Sequence, residues 1–483
     1  MSQGDRLRGI DSSFLYAESA TAHMHVASLA FFEDPELSEQ SILNHVEDRL
    51  HLIPRYRQKI AMVPGNMGRP VWIDDTRFDI RNHVLFTGPG ASSDGDVLRL
   101  TSRLLSRPLD RSRPLWEIWL MKLSDGRIAL VTKSHHCLVD GISAVDIGTA
   151  LMDFQPEPPP STPAPRWVPE PEPSRARLLY DALRERAAQP ARLADALRDI
   201  ARDPQDFLAR GKEVARGVLS FSKAGLAPAP RVSFTRAIGP HRRFTVVRSD
   251  LATIKAIRGQ FGCTVNDVLL AAVAGGLRKL LQSRKESVDD LVLRAMVPVS
   301  FRTDAQRHTF GNQVSWVVAN LPVGEDCPEE RLRRTHACMT RLKESKQALG
   351  ADFWFKLAEL APPSVLSIAG RTLPFQRMVN LIVTNIPGPQ FPVYFQGAEM
   401  LEAFPVVPIG GVASLGVAVL SYNGKVTFGL NADYRLFPDL EGLAAAISES
   451  LDELRSRTAI EDAASAPDAT FFATAAVDRA VAS

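Results

Sequence analysis

The residues best suited to chemistry lie in VTKSHHCLVDGIS, Val131 to Ser143, where His135 and His136 stand side by side and Asp140 and Gly141 follow. Neighbouring side chains on a strand face opposite ways, so the two histidines cannot share one site unless the strand ends there, and one of them is the reactive group. A histidine with a pKa near neutrality, held in a rigid turn, can take a proton from an alcohol as its oxygen attacks a carbonyl. That is acyl-transfer chemistry. Asp140 and Gly141 suit a tight turn into a following helix. The carboxylate would accept backbone hydrogen bonds or pair with an arginine, Arg302 being one candidate, while the glycine permits an unusual backbone angle. Two alternatives use the same residues. Metal binding would join the histidines to Asp140, although adjacent histidines lack the i, i+4 spacing of helical zinc motifs and no water-activating glutamate stands nearby. A Cys137 nucleophile with His136 as its base would need flanking strand residues to converge, so packing is the simpler role for that thiol.

Elements on either side must hold this turn. Before it, HMHVASLAFFE reads as a strand, SEQSILNHVEDRLHLI has helical apolar spacing, PVWIDD is extended and DVLRLTSRLLSRPL is helical. WEIWLMKL and RIALVTKSHH then read as paired strands around Ser124-Asp125-Gly126, ending at the histidines. GISAVDIGTALMDF reads as a helix just beyond Asp140. The proline-rich run QPEPPPSTPAPRWVPEPEPS is a semi-rigid extended linker. An Arg-rich helical stretch from Ser174 to Lys223 follows, and its interleaved acids fit a solvated connector, with a membrane surface as the other reading. A second α/β region starts near Arg242: strand RRFTVVRS, a helix from about Asp250, the apolar helix VNDVLLAAVAGGLRKLLQ, strands LVLRAMVPVSF and NQVSWVVANLPV, and a helical region from Glu329 to about Leu360. A hairpin at Asn423-Gly424 and a helix from about Leu440 to Leu454 close it.

These elements divide the chain into an N-terminal lobe at 1–155, a linker and connector at 156–235, a C-terminal lobe at 236–460 and a loose tail at 461–483. The fold class is α/β, with mixed sheets in two similar halves. Composition narrows the function classes: a net charge of +2 offers no basic field for nucleic acid. Four scattered cysteines, with no CxxC pair and no apolar leader in MSQGDRLRGIDSSF, fit a reducing, cytoplasmic setting. Ala403 to Gly424 carries no charge over nearly a membrane-spanning length, but its prolines, the Gly410-Gly411 pair and the hairpin signal make it buried sheet.

HHCLVDG, His135 to Gly141, resembles the HHxxxDG signature of the coenzyme A-dependent acyltransferase superfamily, which includes chloramphenicol acetyltransferase and peptide-synthetase condensation domains. RPLWE, VNDVLLAAVAGGLR, PVSFR, GNQ, TNIPGP and SYNGKVTFGLNAD, in that order, are similar to the bacterial wax ester synthase/diacylglycerol acyltransferase family, and IDSSFLYAESATAHMHV to its actinobacterial triacylglycerol synthases. The resemblance spans about Asp5 to Leu454. It implies two chloramphenicol-acetyltransferase-like lobes forming a pseudo-dimer, an active site in an interlobe tunnel, and His136 as general base with His135 auxiliary. It implies acyl-CoA as co-substrate with no bound cofactor, diacylglycerol or a long-chain alcohol as acceptor, and peripheral contact with a membrane or lipid droplet. It also places Asn266 near the tunnel as a hydrogen-bond donor, although Asn266 and Asp267 at a helix start equally suit capping, the reading favoured for Asp267. Pro114 to Trp116 reads as packing, Pro387-Gly388-Pro389 as a stiff loop, and Asn431 and Asp433 as tunnel support or solvated strand ends. A carrier-dependent condensation enzyme and a catalytically silent lipid-binding scaffold are the competing functions, separable by product analysis.

Overall fold

The computed structural model describes residues 5–33, 37–88, 93–138, 150–157, 165–187, 228–300, 314–345 and 377–458. The N-terminal elements are α1 (Gly9–Ala17), β1 (His25–Phe32), α2 (Glu39–Arg49), β2 (Gln58–Ala61), β3 (Val71–Asp74), β4 (Val84–Phe86), α3 (Asp94–Leu105), β5 (Trp116–Lys122) and β6 (Ile128–His135). A helix over 175–187, α4, lies against the β2–β3 ribbon through Leu178 and Ala182. After it come β7 (Arg242–Asp250), α5 (Leu251–Phe261), α6 (Val265–Ser283), β8 (Leu293–Ser300), β9 (Val314–Leu321), α7 (Pro328–Glu344), β10 (Leu381–Pro387), β11 (Tyr394–Phe395), β12 (Ala398–Val406), β13 (Leu415–Tyr422), β14 (Lys425–Asp433) and α8 (Leu440–Ser456).

The first sheet runs β11-β12-β1-β6-β5-β4 and the second β7-β14-β13-β10-β8-β9. Residues of alternating parity on β1, β5 and β6 feed two cores, as a pleated strand buried on both faces requires. Ala30, Phe32, Ile118 and Leu130 join the α2 side, while Leu29, Phe31, Met121 and Val131 meet α3. The second sheet packs on α5, α6 and α8, and α6 is buried along most of its length because its apolar residues run around the whole helix. Asn423 and Gly424, with φ of 44° and 77°, form the turn joining β13 to β14, as the Asn-Gly signal requires.

The two halves are interleaved. β12 pairs with β1, so the stretch 236–460 serves both sheets and a lobe boundary drawn along the sequence does not hold there. The segment Ala403 to Gly424 is sheet, as expected, but its first strand belongs to the opposite lobe. β10 runs to Pro387, so the first residue of the Pro387-Gly388-Pro389 stretch read as a stiff loop ends a strand. Where β12 crosses β14, Gly429 lies against the Pro405 carbonyl so closely that a Cβ would collide with it. Polar contacts seal the junction: the Arg242 and Phe244 amides donate to Ser106 and Ser102 of α3 at 2.8 and 3.0 Å, and the Tyr422 hydroxyl donates to the Met400 carbonyl at 2.9 Å. Among the described residues no single helix is long and apolar enough to cross a membrane; α5 and α6 reach that composition only as a pair bent by 100°. Asp140, Gly141, Arg302, the Gly311 to Gln313 motif, most of the Arg-rich connector and the tail lie outside the described residues.

Candidate active site

The site is built at the end of β6, the strand that lies between β1 and β5. Its last residue, His135, is fully buried, and the chain then leaves the sheet through a short 3₁₀ turn, His136–Leu138. Strand alternation and this turn separate the two rings. His135 points into the N-terminal core, where its Nδ1 accepts the Cys137 amide N–H at 3.1 Å and lies 2.9 Å from the Cys137 thiol. His136 turns the other way, held by its own amide N–H, which donates to the Met24 carbonyl at 2.9 Å. Its imidazole stacks on Phe14 of α1, centroids 3.8 Å apart and planes within 16°.

The electrostatics divide the labour. Burial lowers the His136 pKa to about 4, partly opposed by a hydrogen-bonding interaction with its own backbone, and lowers that of His135 to about 3. The sequence led to a pKa near neutrality; the dry, Phe14-covered setting makes both rings neutral well below that. His136 Nδ1 is sealed from solvent and has no hydrogen-bond partner among the described residues. The residue as a whole stays half-buried, so Nε2 is the nitrogen left to act. The Cys137 thiol is fully buried, pushed up by burial, and paired with His135 rather than His136, which leaves it as packing.

Around this turn lies a set of groups that sequence reading overlooked. Glu18, just beyond α1, places one carboxylate oxygen 3.7 Å from His25 Nε2 and the other 3.7 Å from His135 Nε2. Arg111 clamps the same carboxylate, its Nε donating at 2.7 Å, and also donates to the Leu15 carbonyl at 3.0 Å. His25 and His135 are direct cross-strand partners, and His23 stacks on His25 at 5.6 Å. His23 lies just before β1 and stacks on His25 at its first position, but only the β1–β6 register shows that His135 faces His25. His23, Met24, His25 and Arg242 meet Ile409 and Asn431 at a small hollow of about 10 Å³ between the lobes, and the Met24 carbonyl that accepts the His136 amide ties the turn to it.

Asn266 lies in the first turn of α6, half-buried. Thr264, not Asn266, caps that helix: its hydroxyl accepts from the Asp267 amide at 3.2 Å, and Asp267 accepts the Thr264 amide at 2.9 Å, closing a capping box. Asp267 also accepts from His336 Nδ1 at 2.8 Å, so it is structural, as expected. Among the described residues no hydrogen bond engages the Asn266 side chain. Trp116 is packing: its Nε1 donates to the Tyr56 carbonyl at 2.8 Å and its ring stacks between Tyr56 and His83. Asn431 and Asp433 are buried rather than solvated. Asn431 donates to the Val407 carbonyl at 2.9 Å, and Asp433 accepts the Gly239 amide at 2.6 Å. No group of three or more His, Cys, Asp or Glu side chains among the described residues is arranged to hold a metal ion, and Asp140 lies outside them.

The chain matches the wax ester synthase/diacylglycerol acyltransferase catalytic domain over residues 7–269 and the C-terminal domain of the same family over 310–455. It is 32% identical to tgs2 of Mycobacterium tuberculosis, a probable diacylglycerol O-acyltransferase, over 93% of this chain and 98% of that protein. Identity to the probable diacylglycerol O-acyltransferase tgs1 of Mycobacterium tuberculosis is 30%, over 93% of this chain and 96% of that one. Among solved structures, the wax ester synthase/diacylglycerol acyltransferase of Marinobacter aquaeolei matches with a TM-score of 0.63 at 26% identity, covering 94% of this chain and all of that one. A first condensation domain of the CDA synthetase shares the fold, with a TM-score of 0.56 at 16% identity, over 95% of this chain and 98% of that one.

Proposed function

Because the chain belongs to the wax ester synthase/diacylglycerol acyltransferase family, we propose that it transfers a long-chain acyl group from acyl-CoA to the free hydroxyl of diacylglycerol, giving triacylglycerol. Long-chain alcohols are the second acceptor class, giving wax esters. The observation that carries this reading is a neutral imidazole, His136, set at the lobe junction with Nδ1 sealed in and Nε2 left to act.

The transfer is direct. His136 Nε2 takes the hydroxyl proton as the acceptor oxygen bonds to the thioester carbonyl carbon. The tetrahedral oxyanion collapses with loss of the carbon–sulfur bond, and the proton passes from His136 to the departing CoA thiolate. No acyl-enzyme is formed, since the Cys137 thiol is buried against His135. Asn266 donates a hydrogen bond to the developing oxyanion, worth a few kcal/mol of barrier. General-base assistance supplies about 10²- to 10⁴-fold, and alignment of two substrates in an interlobe tunnel supplies much of the remainder.

The acceptor is insoluble, so the enzyme meets it at a lipid surface. α4 is the described segment suited to that contact: Tyr180 and Leu183 are exposed beside Arg175, Arg177 and Arg184, while Leu178 and Ala182 face inward. Incubation of the purified protein with labelled palmitoyl-CoA and a panel of diacylglycerols and fatty alcohols tests the activity. Triacylglycerol from wild type but not from His136→Ala is the expected result. Product that requires an acyl carrier protein, or undiminished product from His136→Ala, overturns it. Flotation with anionic vesicles that is unchanged in Tyr180→Ser/Leu183→Ser would remove α4 from the lipid contact.

A further inference from the structure

We infer that Glu18 is a positioning residue for the reaction proposed above: it fixes the tautomer of His135, and through it the peptide group that orients the His136 base.

The peptide between His136 and Cys137 links the two histidines. Its N–H belongs to Cys137 and donates to His135 Nδ1 at 3.1 Å. A backbone amide is always a donor, so His135 Nδ1 must be the acceptor and the ring's single proton sits on Nε2. At that end the Nε2–H faces the Glu18 carboxylate at 3.7 Å. The distance is longer than a direct hydrogen bond but short for an N–H dipole beside a negative charge in a dry site. The opposite tautomer would set N–H against N–H at Cys137 and a lone pair against a carboxylate at Glu18, so both ends of the ring select the same form.

The other end of that peptide is the His136 carbonyl. Because the group is planar, anchoring its N–H also fixes where its C=O points. His136 Nδ1 is buried with no hydrogen-bond partner among the described residues, so the ring is placed by its backbone, anchored at the peptides on both sides, and by its stack on Phe14. Glu18, His135 and the 136–137 peptide therefore form one continuous chain of contacts that ends at the backbone of His136. Outer partners that fix a histidine tautomer in this way typically change activity 10- to 100-fold when removed.

Glu18 is placed for this task by the fold. Its side chain is 9% exposed, and Arg111, which clamps it, also holds the last turn of α1 through the Leu15 carbonyl. α1 carries Phe14, the face on which His136 stacks. Its second oxygen faces His25, the cross-strand partner of His135, so both rings present Nε2 to one carboxylate. Lys133 and Asp11 are the other buried charges near this group.

The test uses the full chain labelled with 15N-histidine, in wild type and Glu18→Gln. Ring nitrogen shifts report which nitrogen of each histidine is protonated, and His135 is assigned among the ten histidines by its loss in His135→Gln. The expected result is Nε2–H at His135 in wild type. In Glu18→Gln, whose amide can turn its NH₂ toward Nε2 while the Cys137 amide still favours Nε2–H, a detectable share of the Nδ1–H form should appear, with kcat down about 10- to 100-fold and KM for both substrates within about threefold. Glu18→Asp should regain part of the lost kcat. A wild-type His135 protonated on Nδ1 overturns the inference, as does a kcat in Glu18→Gln within about twofold of wild type. A fall in kcat with the tautomer unchanged overturns it too, since the loss would then come from Arg111 losing its partner. The wild-type spectrum needs no turnover, so absence of acyl transfer would count against the proposed function and not against the hold of Glu18 on His135.

Discussion

The low pKa of His136 makes a quantitative prediction about acid. With a pKa of about 4, roughly 90% of the rings are still neutral at pH 5, whereas an ordinary imidazole at 6.5 would be only about 3% neutral there. Between pH 7.5 and pH 5 the kcat/KM of wild type should therefore fall by about a tenth rather than about 30-fold, since that profile reports the free enzyme's base. Phe14→Ala perturbs the cause directly. The Phe14 ring covers one face of the imidazole at 3.8 Å, and burial is the main source of the depression. Opening that face to water should return about one unit, worth about 1.4 kcal/mol, and bring the acid limb up toward pH 5. The assay is initial-rate transfer from labelled acyl-CoA across pH 4.5–8 in a constant-ionic-strength buffer, with far-UV circular dichroism at each pH. That control matters because the sign of the linkage runs against the fold in acid. An imidazole whose folded-state pKa is depressed contributes nothing adverse above about 6.5, and destabilises progressively as pH falls below it, while the unfolded chain takes up protons that the folded one refuses. At pH 5 the loss is about 2 kcal/mol for His136, and His135, at about 3, adds a similar amount. An acid limb near 6.5 in the folded wild type, or a limb unmoved in Phe14→Ala, would refute the assignment of a dry, stacked base.

Three further outcomes follow from the same geometry. Cys137→Ala should keep turnover within about threefold and cost about 1 kcal/mol of stability in urea melts, because the thiol packs against His135 while the amide N–H stays; turnover lost to the level of His136→Ala would reinstate a thiol mechanism. Thr264→Ala should lower stability by about 1 kcal/mol through loss of the α6 cap. Asn266→Ala should leave the melt unchanged and cut kcat about 100-fold, and equal stability losses in the two would show that Asn266 is a capping residue after all. Arg242→Met should destabilise by about 2–4 kcal/mol, since its buried guanidinium bridges the Thr21 carbonyl of one lobe and those of Gly239 and His241 in the other; a change below about 0.5 kcal/mol in a denaturant titration would show that this bridge does not join the lobes.

The local signals read correctly where local physics decides. Alternation placed β1, β5 and β6, Asn423-Gly424 gave its hairpin, and the proximity of two histidines to the end of a strand was enough to send them to opposite sides. Capping chemistry at α6 was legible in kind but not in residue: Thr264 is a better cap than Asn266 because its β-branched hydroxyl sits at the non-helical position, with Asp267 three residues on to close the box. What escaped was long-range. Nothing in the period of AEMLEAFPV says that it pairs with β1, almost the whole chain away, rather than with its sequence neighbour β13. Nothing in LYAES marks Glu18 as the carboxylate under His135, since that depends on where α1 docks and on the register that sets His25 opposite His135. The low pKa of the base escaped for the same reason: it comes from Phe14, a residue remote in sequence whose apolar face in a helix looks like any other core position.

The crossing of β12 has a mechanical consequence for catalysis. Six residue pairs, from Ala27↔Val406 to Phe32↔Met400, join β12 to the strand whose neighbour β6 carries the histidines. β12 continues through Pro408 and Ile409 into β13 of the other sheet, and Ile409 faces Met24 at the junction. Opening the lobes by pulling β12 away from β1 would exchange those hydrogen bonds for water at about 0.5–1.5 kcal/mol each, a large share of a stability of order 10 kcal/mol. On the mechanism proposed above, substrates reach His136 by threading between lobes that stay joined.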